Sequence, residues 1–272
     1  MVGVEPIEQI VEACVWSAYI KGERPLSMLL IGHVESGKSS ILERFRGIAG
    51  LYFLNDVTAW ALTSPTRGVL PKLLNNKIKH LLVPDMLVPT GRNSDTVETF
   101  ITFLNVLIEE GAVSIQTYAT KLELPEPIRC GFIGAIATEE LERRRRQWLR
   151  LGFMSRLLPI SYSYSAATIA DIKQSIARRE HRSEKPILLN LPDKPIEVNL
   201  TLEVANKLML LEPAVNQQLH TAEKLYGFRL QKHLQTFALA HALACRREST
   251  TQADYDFVAM SSRYFNLNHT PI

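Results

Sequence analysis

The sequence predicts an α/β fold, a parallel sheet built around a phosphate-binding loop and followed by a small helical lid. Three observations predict it. Short, wholly apolar runs alternate with amphipathic stretches over the first two-thirds of the chain, as in sheets whose strands are buried on both faces. A glycine-rich loop of the form G-x-x-x-x-G-K-[ST] follows the first such run directly and leads into a helical stretch. Beyond about residue 176 the strand pattern fades and helical periodicity takes over. The expected division of the 272 residues is a nucleotide-binding core at 1–176 and a helical lid at 177–272.

From Glu5 to Ile20, apolar residues at Ile7, Ile10, Val11, Cys14, Val15 and Ala18 recur every three or four positions, the period of an amphipathic helix that packs against the sheet. Leu26 to Ile31 is the first buried strand. Lys38 to Ile48 reads as the helix after the glycine loop. Further strands are expected at Ile78–Val83, Cys130–Ala137 and Leu157–Tyr162, with helices between them at 96–110 and 139–151. The second of these helices opens with acids and closes with arginines, which suits the helix dipole. A charged, proline-containing stretch from Arg178 to Pro186 marks the boundary. In the lid, helices are expected at 202–211, 212–227 and 229–246, and a last one opens on Thr251 and Asp254, spaced as a capping box.

The composition is that of a globular protein, with 46% hydrophobic and 22% charged residues, which excludes disordered and collagen-like classes. A formal net charge of +3 names no nucleic-acid or membrane partner by itself. The three cysteines are far apart, which fits neither a disulfide framework nor a zinc site, and the seven histidines show no ligand spacing. The start of the chain lacks the pattern of a secretory signal, and no apolar run nears the ~20 residues that span a bilayer. A cytoplasmic protein with no membrane partner is expected.

The segment Gly32-His33-Val34-Glu35-Ser36-Gly37-Lys38-Ser39, with Ser40 behind it, carries the chemistry. Glycines let backbone N–H groups turn inward around phosphates, and the following helix adds its positive end at the same point. Lys38 is placed to reach the β- and γ-phosphates of ATP, and the Ser39 hydroxyl to ligate the Mg2+ that bridges them. Such a site ordinarily needs a carboxylate at the end of a neighbouring strand to hold the metal, and a second acid to activate water. Here His80-Leu-Leu-Val-Pro-Asp85 supplies one acid, with Met86 after it. Asp85 is either the Mg2+ ligand with the base missing, or the base with Pro84 at the ligand position, or an ordinary turn residue.

With the loop in hand, the stretch from Val106 to Ser165 resembles AAA+ ATPases, and most closely the minichromosome-maintenance helicases and related mobile-element helicase-like proteins. The run Ile-Glu-Glu-Gly-Ala-Val-Ser-Ile ending at Ile115 is similar to the family segment before its pre-sensor hairpin, which leads to Arg129-Cys130 and a strand. The resemblance then puts Thr138 at the polar sensor position, in contact with the γ-phosphate or the attacking water. It puts Arg156, in Gly152-Phe-Met-Ser-Arg-Leu, at the arginine finger that reaches into a neighbouring subunit's ATP site. Arg229, with Leu230, Gln231 and the Ala-His-Ala at 240–242, resembles the lid helix bearing a second sensor arginine. Three departures stand out: Met86 where a catalytic glutamate often sits, Thr138 in place of the helicases' asparagine, and no room for their N-terminal DNA-binding domain.

Each role has a plainer reading. Arg156 could be a solvated arginine or a partner of Glu139 or Glu142, and Arg229 surface charge on an amphipathic helix. Arg143 to Arg146 with Arg150 form the densest positive cluster, suited to nucleic-acid phosphates or to i,i+4 pairs with Glu139, Glu140 and Glu142. Segment 117–129, with Lys121 near its middle, lies where the resembled helicases carry a DNA-contacting hairpin. Tyr162 and Tyr164 suggest base stacking or, more plainly, packing. The expectation is an ATP- and Mg-dependent ATPase acting as an oligomeric motor on DNA, helicase-like or accessory to replication. Its partners would be copies of itself, as in a hexameric ring, together with DNA or other proteins. A protein-remodelling module and an ATP-dependent assembly switch with weak hydrolysis are the rivals.

Overall fold

A computed structural model describes residues 2–58, 61–62, 64, 68–75, 77–117, 120–180, 185–219 and 227–272. The central strand β1 (Met28–Gly32) is buried along its whole length, and its side chains alternate between two apolar cores. Met28 and Leu30 enter one, Leu29 and Ile31 the other. That is why the run reads as continuously apolar. Strands β2 (Leu51–Phe53), β3 (His80–Val83), β6 (Gly131–Ala137) and β7 (Leu158–Ser163) join it in the order β2-β3-β6-β1-β7, all parallel. A sixth strand, β8 (Thr270–Pro271), pairs with the far side of β7. The remaining two strands, β4 (Ala112–Thr117) and β5 (Thr120–Ile128), form a separate antiparallel hairpin.

Helix α1 (Glu5–Ser17) and the short helix α2 (Lys38–Glu43) lie in the first core, together with the C-terminal helices α8 (Leu202–Leu219), α9 (Phe228–Ala244) and α10 (Gln252–Ser262). The second core holds α3 (Leu70–Leu74), α5 (Ser94–Asn105) and α6 (Thr138–Arg150), where Trp148 meets Phe153 edge-on at 5.3 Å. A four-residue turn of helix, α4 (Leu87–Thr90), follows β3, and α7 (Ala166–Ala177) follows β7. Layers of helix on both faces of a parallel sheet are the predicted class.

Several boundaries differ from the expected ones for physical reasons. The expected helix to Ile48 holds its α-helical form only to Glu43, and the chain continues in tighter i→i−3 turns to Arg46. The stretches 202–211 and 212–227 are one helix as far as Leu219, with Pro213 inside it, because Val204, Leu208, Val215 and Leu219 bury one continuous face. Its expected end, at 220–226, lies outside the described residues, as do 181–184 of the charged stretch and 118–119 of the hairpin. Strands β2 and β8 were not read from the sequence. The first is only half-buried at the sheet edge, and the second is two residues long. Packing of α1 is chiefly along α9, within the core that it shares with the sheet.

Candidate functional site

The glycine loop leaves the C-terminal end of β1, where Gly32 stands beside Ala137 of β6. Gly37 takes a positive φ of 78° and Glu35 one of 66°, so the chain doubles back into α2. Lys38 folds into this loop. Its Nζ donates to Gly32 O (2.8 Å), His33 O (2.6 Å) and Ser36 Oγ (3.1 Å). Burial lowers the pKa of the ammonium, while the carboxylates of Glu139 and Asp85 pull it back up. The loop is also tied from the sheet side, since Tyr162 and Tyr164 both donate their hydroxyls to Ser36 O, at 2.9 and 2.7 Å. These two rings pack and brace the loop, the plainer of the two readings of the sequence. His33 and Val34 are exposed at the loop's tip, and Ser40 is exposed on α2.

Ser39 donates to Pro84 O at 3.0 Å, which brings α2 against the end of β3. Asp85 follows immediately, exposed, with Oδ1 accepting the Leu87 N–H at 2.9 Å. It therefore caps the turn into α4 and also faces Lys38. The next position is closed to chemistry from this strand, because Met86 is fully buried and its N–H donates to Ala135 O at 2.8 Å. A second acid comes instead from Glu139, at the start of α6. Its own backbone N–H, and then His33 and Lys38, hold its carboxyl below the usual range, and it lies 3.6 Å from His33 Nδ1. Nothing in the spacing of the sequence tied Glu139 to the loop; only the β1–β6 pairing does.

Thr138 follows β6 directly and opens α6, on the same side of the sheet. Its Oγ1 lies 3.1 Å from Nε2 of His269, whose ring meets that of His33 at a tilt of 34° with centroids 4.6 Å apart. His269 comes from the segment just before β8 and was not singled out in the sequence.

Arg156 and Arg229 lie elsewhere. Leu158 pairs with Met28, at the start of β1, so Arg156 sits at the opposite end of the sheet from the loop, about a strand length of ~16 Å away. Its Nη1 donates to Gly152 O (2.8 Å) and Nη2 to Glu110 (3.1 Å), and its Nε is buried without a hydrogen-bond partner. Arg229 reaches Ser155 Oγ (2.9 Å) and Glu109 (3.2 Å) from α9. Arg24 also pairs with Glu109, and Arg129 donates to the Glu109 and Glu110 carbonyls. The two acids stand on a π-helical turn (Val106–Glu110) that extends α5. Arg24, Glu109, Arg156, Arg229 and His233 line a cavity of about 340 Å3. So the structure brings Arg156 and Arg229 together, and separates both from Lys38, Ser39, Asp85 and Thr138.

In the arginine run, Arg143 (3.5 Å) and Arg144 pair with Glu140, and Arg150 with Glu98 (3.8 Å), so three of the five are engaged in ion pairs. Lys121 is exposed on β5. Among the described residues there is no cluster of potential metal ligands and no helix long and apolar enough to cross a membrane.

No protein-family model matches the sequence, and no curated protein matches it. Among solved structures, the chain is similar to a full-length MCM homolog from Methanopyrus kandleri, with a TM-score of 0.60 and 16% identity. The match covers 97% of this chain and 56% of that one, so the chain spans a little over half of that protein. The likeness shows the fold alone, a mostly parallel α/β sheet of the P-loop class followed by helices.

Proposed function

We propose that this chain is an AAA+ ATPase that binds ATP and Mg2+ at the glycine loop and hydrolyses ATP as a homo-oligomer, working on DNA. The observation that carries the reading is the loop itself. The Lys38 ammonium is held on two loop carbonyls that phosphate oxygens can replace, and Ser39 and Asp85 stand at its edge. A Cβ on Gly32 would meet Ser36 Oγ at 2.8 Å, so a larger residue there would displace the Ser36 hydroxyl that Lys38 holds. Loop N–H groups and Lys38 would bind the phosphates of ATP, and Ser39 with Asp85 would hold the metal. Bound Mg2+ supplies charge neutralisation to the phosphates. Thr138 would face the terminal phosphate, while Glu139 and Asp85 are the carboxylates near enough to Lys38 to orient a water.

Arg156 and Arg229 would act on the loop of an adjacent subunit, because the sheet keeps them from their own. Residues 177–272 would serve as the lid of the 1–176 core. DNA as the substrate rests on the resemblance to minichromosome-maintenance proteins and on the likeness to the MCM homolog. A second reading, an assembly switch with slow turnover, is favoured by buried Met86.

Steady-state ATP hydrolysis over a range of protein concentrations, with and without single-stranded DNA, tests both. Turnover per chain that rises with concentration and again with DNA supports the motor. Tight ATP binding with negligible turnover supports the switch. Lys38→Ala is expected to abolish ATP binding, and unchanged affinity in that variant would refute the site.

A further inference from the structure

We propose that His269 is a positioning residue for Thr138, fixing the direction in which the Thr138 hydroxyl donates so that its hydrogen is presented to the terminal phosphate. The proposal rests on the nucleotide reading of the site. The segment after α10 returns to the sheet, where Thr270 and Pro271 pair with Tyr162 and Ser163 of β7. Ser163 Oγ donates to His269 O at 3.2 Å, and Ser161 N–H donates to Tyr264 O at 2.9 Å. Held this way, His269 adopts a φ of 58°, a conformation that non-glycine residues take at a cost. The result of that strained turn is a half-buried imidazole with each ring nitrogen on a hydroxyl.

Two hydrogen-bond directions are open to the ring, and the proposed one leaves the Thr138 hydrogen free. Ser161 Oγ accepts the backbone N–H of His269 at 3.0 Å and lies 2.8 Å from His269 Nδ1, to which it donates in the proposed arrangement. In the neutral ring, Nδ1 then accepts and Nε2 carries the proton. Nε2–H donates to Thr138 Oγ1 at 3.1 Å, and the Thr138 hydrogen is left to point outward. The opposite tautomer would take that hydrogen for itself and leave Thr138 only an acceptor, a poor neighbour for a phosphate. The groups around the ring are His33, tilted against it, and the Tyr162 carbonyl, with Glu139 and Lys38 beyond. Burial first, and then His33, push the His269 pKa down against the Tyr162 carbonyl and Glu139, which raise it, so the net shift favours the neutral ring.

The experiment is a double-mutant cycle on the full chain, reading the ratio of ATP to ADP affinity by calorimetry with Mg2+ present. His269→Ala and Thr138→Val should each lower that ratio about fivefold, the worth of one hydrogen bond. The double variant should lose no more than either, since both remove the same contact. His269→Gln, whose amide N–H can stand in for Nε2–H, should recover most of the loss. Additive losses, or an unchanged ratio in His269→Ala beside a lowered one in Thr138→Val, would overturn the proposal. So would an Nδ1–H tautomer for His269 in 15N spectra of the nucleotide-free protein, a readout that needs no activity. A wild-type chain that binds neither nucleotide would refute the reading of the whole site, and this proposal with it.

Discussion

At the residue scale, the base of the sheet is as tightly determined as the loop at its top. His80 is completely buried at the start of β3, where its Nε2 lies 3.1 Å from Leu26 O and its Nδ1 has no hydrogen-bond partner. Desolvation lowers its pKa to about 4. A protonated ring would bury an unpaired N–H and a charge together. Unfolded chain takes up the proton near pH 6.5, and folded chain only near 4, so the unfolded state holds more protons between those values. Stability from this group is complete above about pH 6.5 and declines by about 3 kcal/mol as pH falls to 4. Urea unfolding at pH 4.5 and 7.5 should reveal it, with the slope reduced in His80→Gln. The same ring explains Gly131, because a Cβ there would fall on the imidazole and press Leu26 O at 2.8 Å. Gly131→Ala should cost about 3 kcal/mol by the same assay, and a loss below 0.5 kcal/mol would mean that the strand start can shift.

At the element scale, the last helix, α10, is set by one carboxylate. Asp254 is fully buried, its Oδ2 accepting the Thr251 N–H at 2.7 Å, while Oδ1 takes His241 at 2.7 Å and also Arg247. Burial raises its pKa, but His241, the Thr251 N–H and Arg247 outweigh that and bring it below the usual range. Asp254→Ala should therefore cost about 3 kcal/mol and free α10 first, seen as lost amide protection in 251–262 before the rest. This element was legible in the sequence because a capping box is local, four residues long, and written in residue types. Strand β1 and the glycine loop were legible for the same reason. What periodicity cannot carry is an element whose existence depends on a distant partner. Strand β8 exists only because Tyr162 and Ser163 lie beside it, whereas the hairpin β4–β5 carries a short local signal, Val113 and Ile115 and then Leu122 and Leu124 alternating with polar residues. Continuity of α8 through Pro213 is likewise a packing result, which propensity alone argues against.

At the scale of the whole molecule, the candidate site divides into a part that sequence order discloses and a part that only topology does. Lys38 and Ser39 are neighbours in sequence, and the motif names them together. Asp85, Thr138, Glu139 and His269 come from three further places in the chain and meet because β3 and β6 end on one side of the sheet and the residue that enters β8 lies beside the last part of β7. Parallel pairing has the opposite consequence for Arg156, which precedes β7 and so lies at the sheet's other end, with Arg229 against the same pair of acids. A monomer in which these arginines serve the loop is excluded by about a strand length of sheet. If they serve catalysis at all, each site takes its loop from one chain and its arginine from the next. That predicts complementation between two inactive variants. Lys38→Ala alone should bind no ATP, and Arg156→Ala alone should bind it but hydrolyse it at least about 10³-fold more slowly. Mixed in equal amounts, the intact loop of one variant can meet the intact arginine of the other, and hydrolysis should return to roughly a quarter of the wild-type rate if the two mix at random. Charge release should accompany it, because Arg156 must leave Glu110 to cross the interface, so Glu110→Gln should raise wild-type turnover at low protein concentration. A mixture no more active than its two components would place Arg156 with Glu110 as a structural pair, and would leave the loop to work without it.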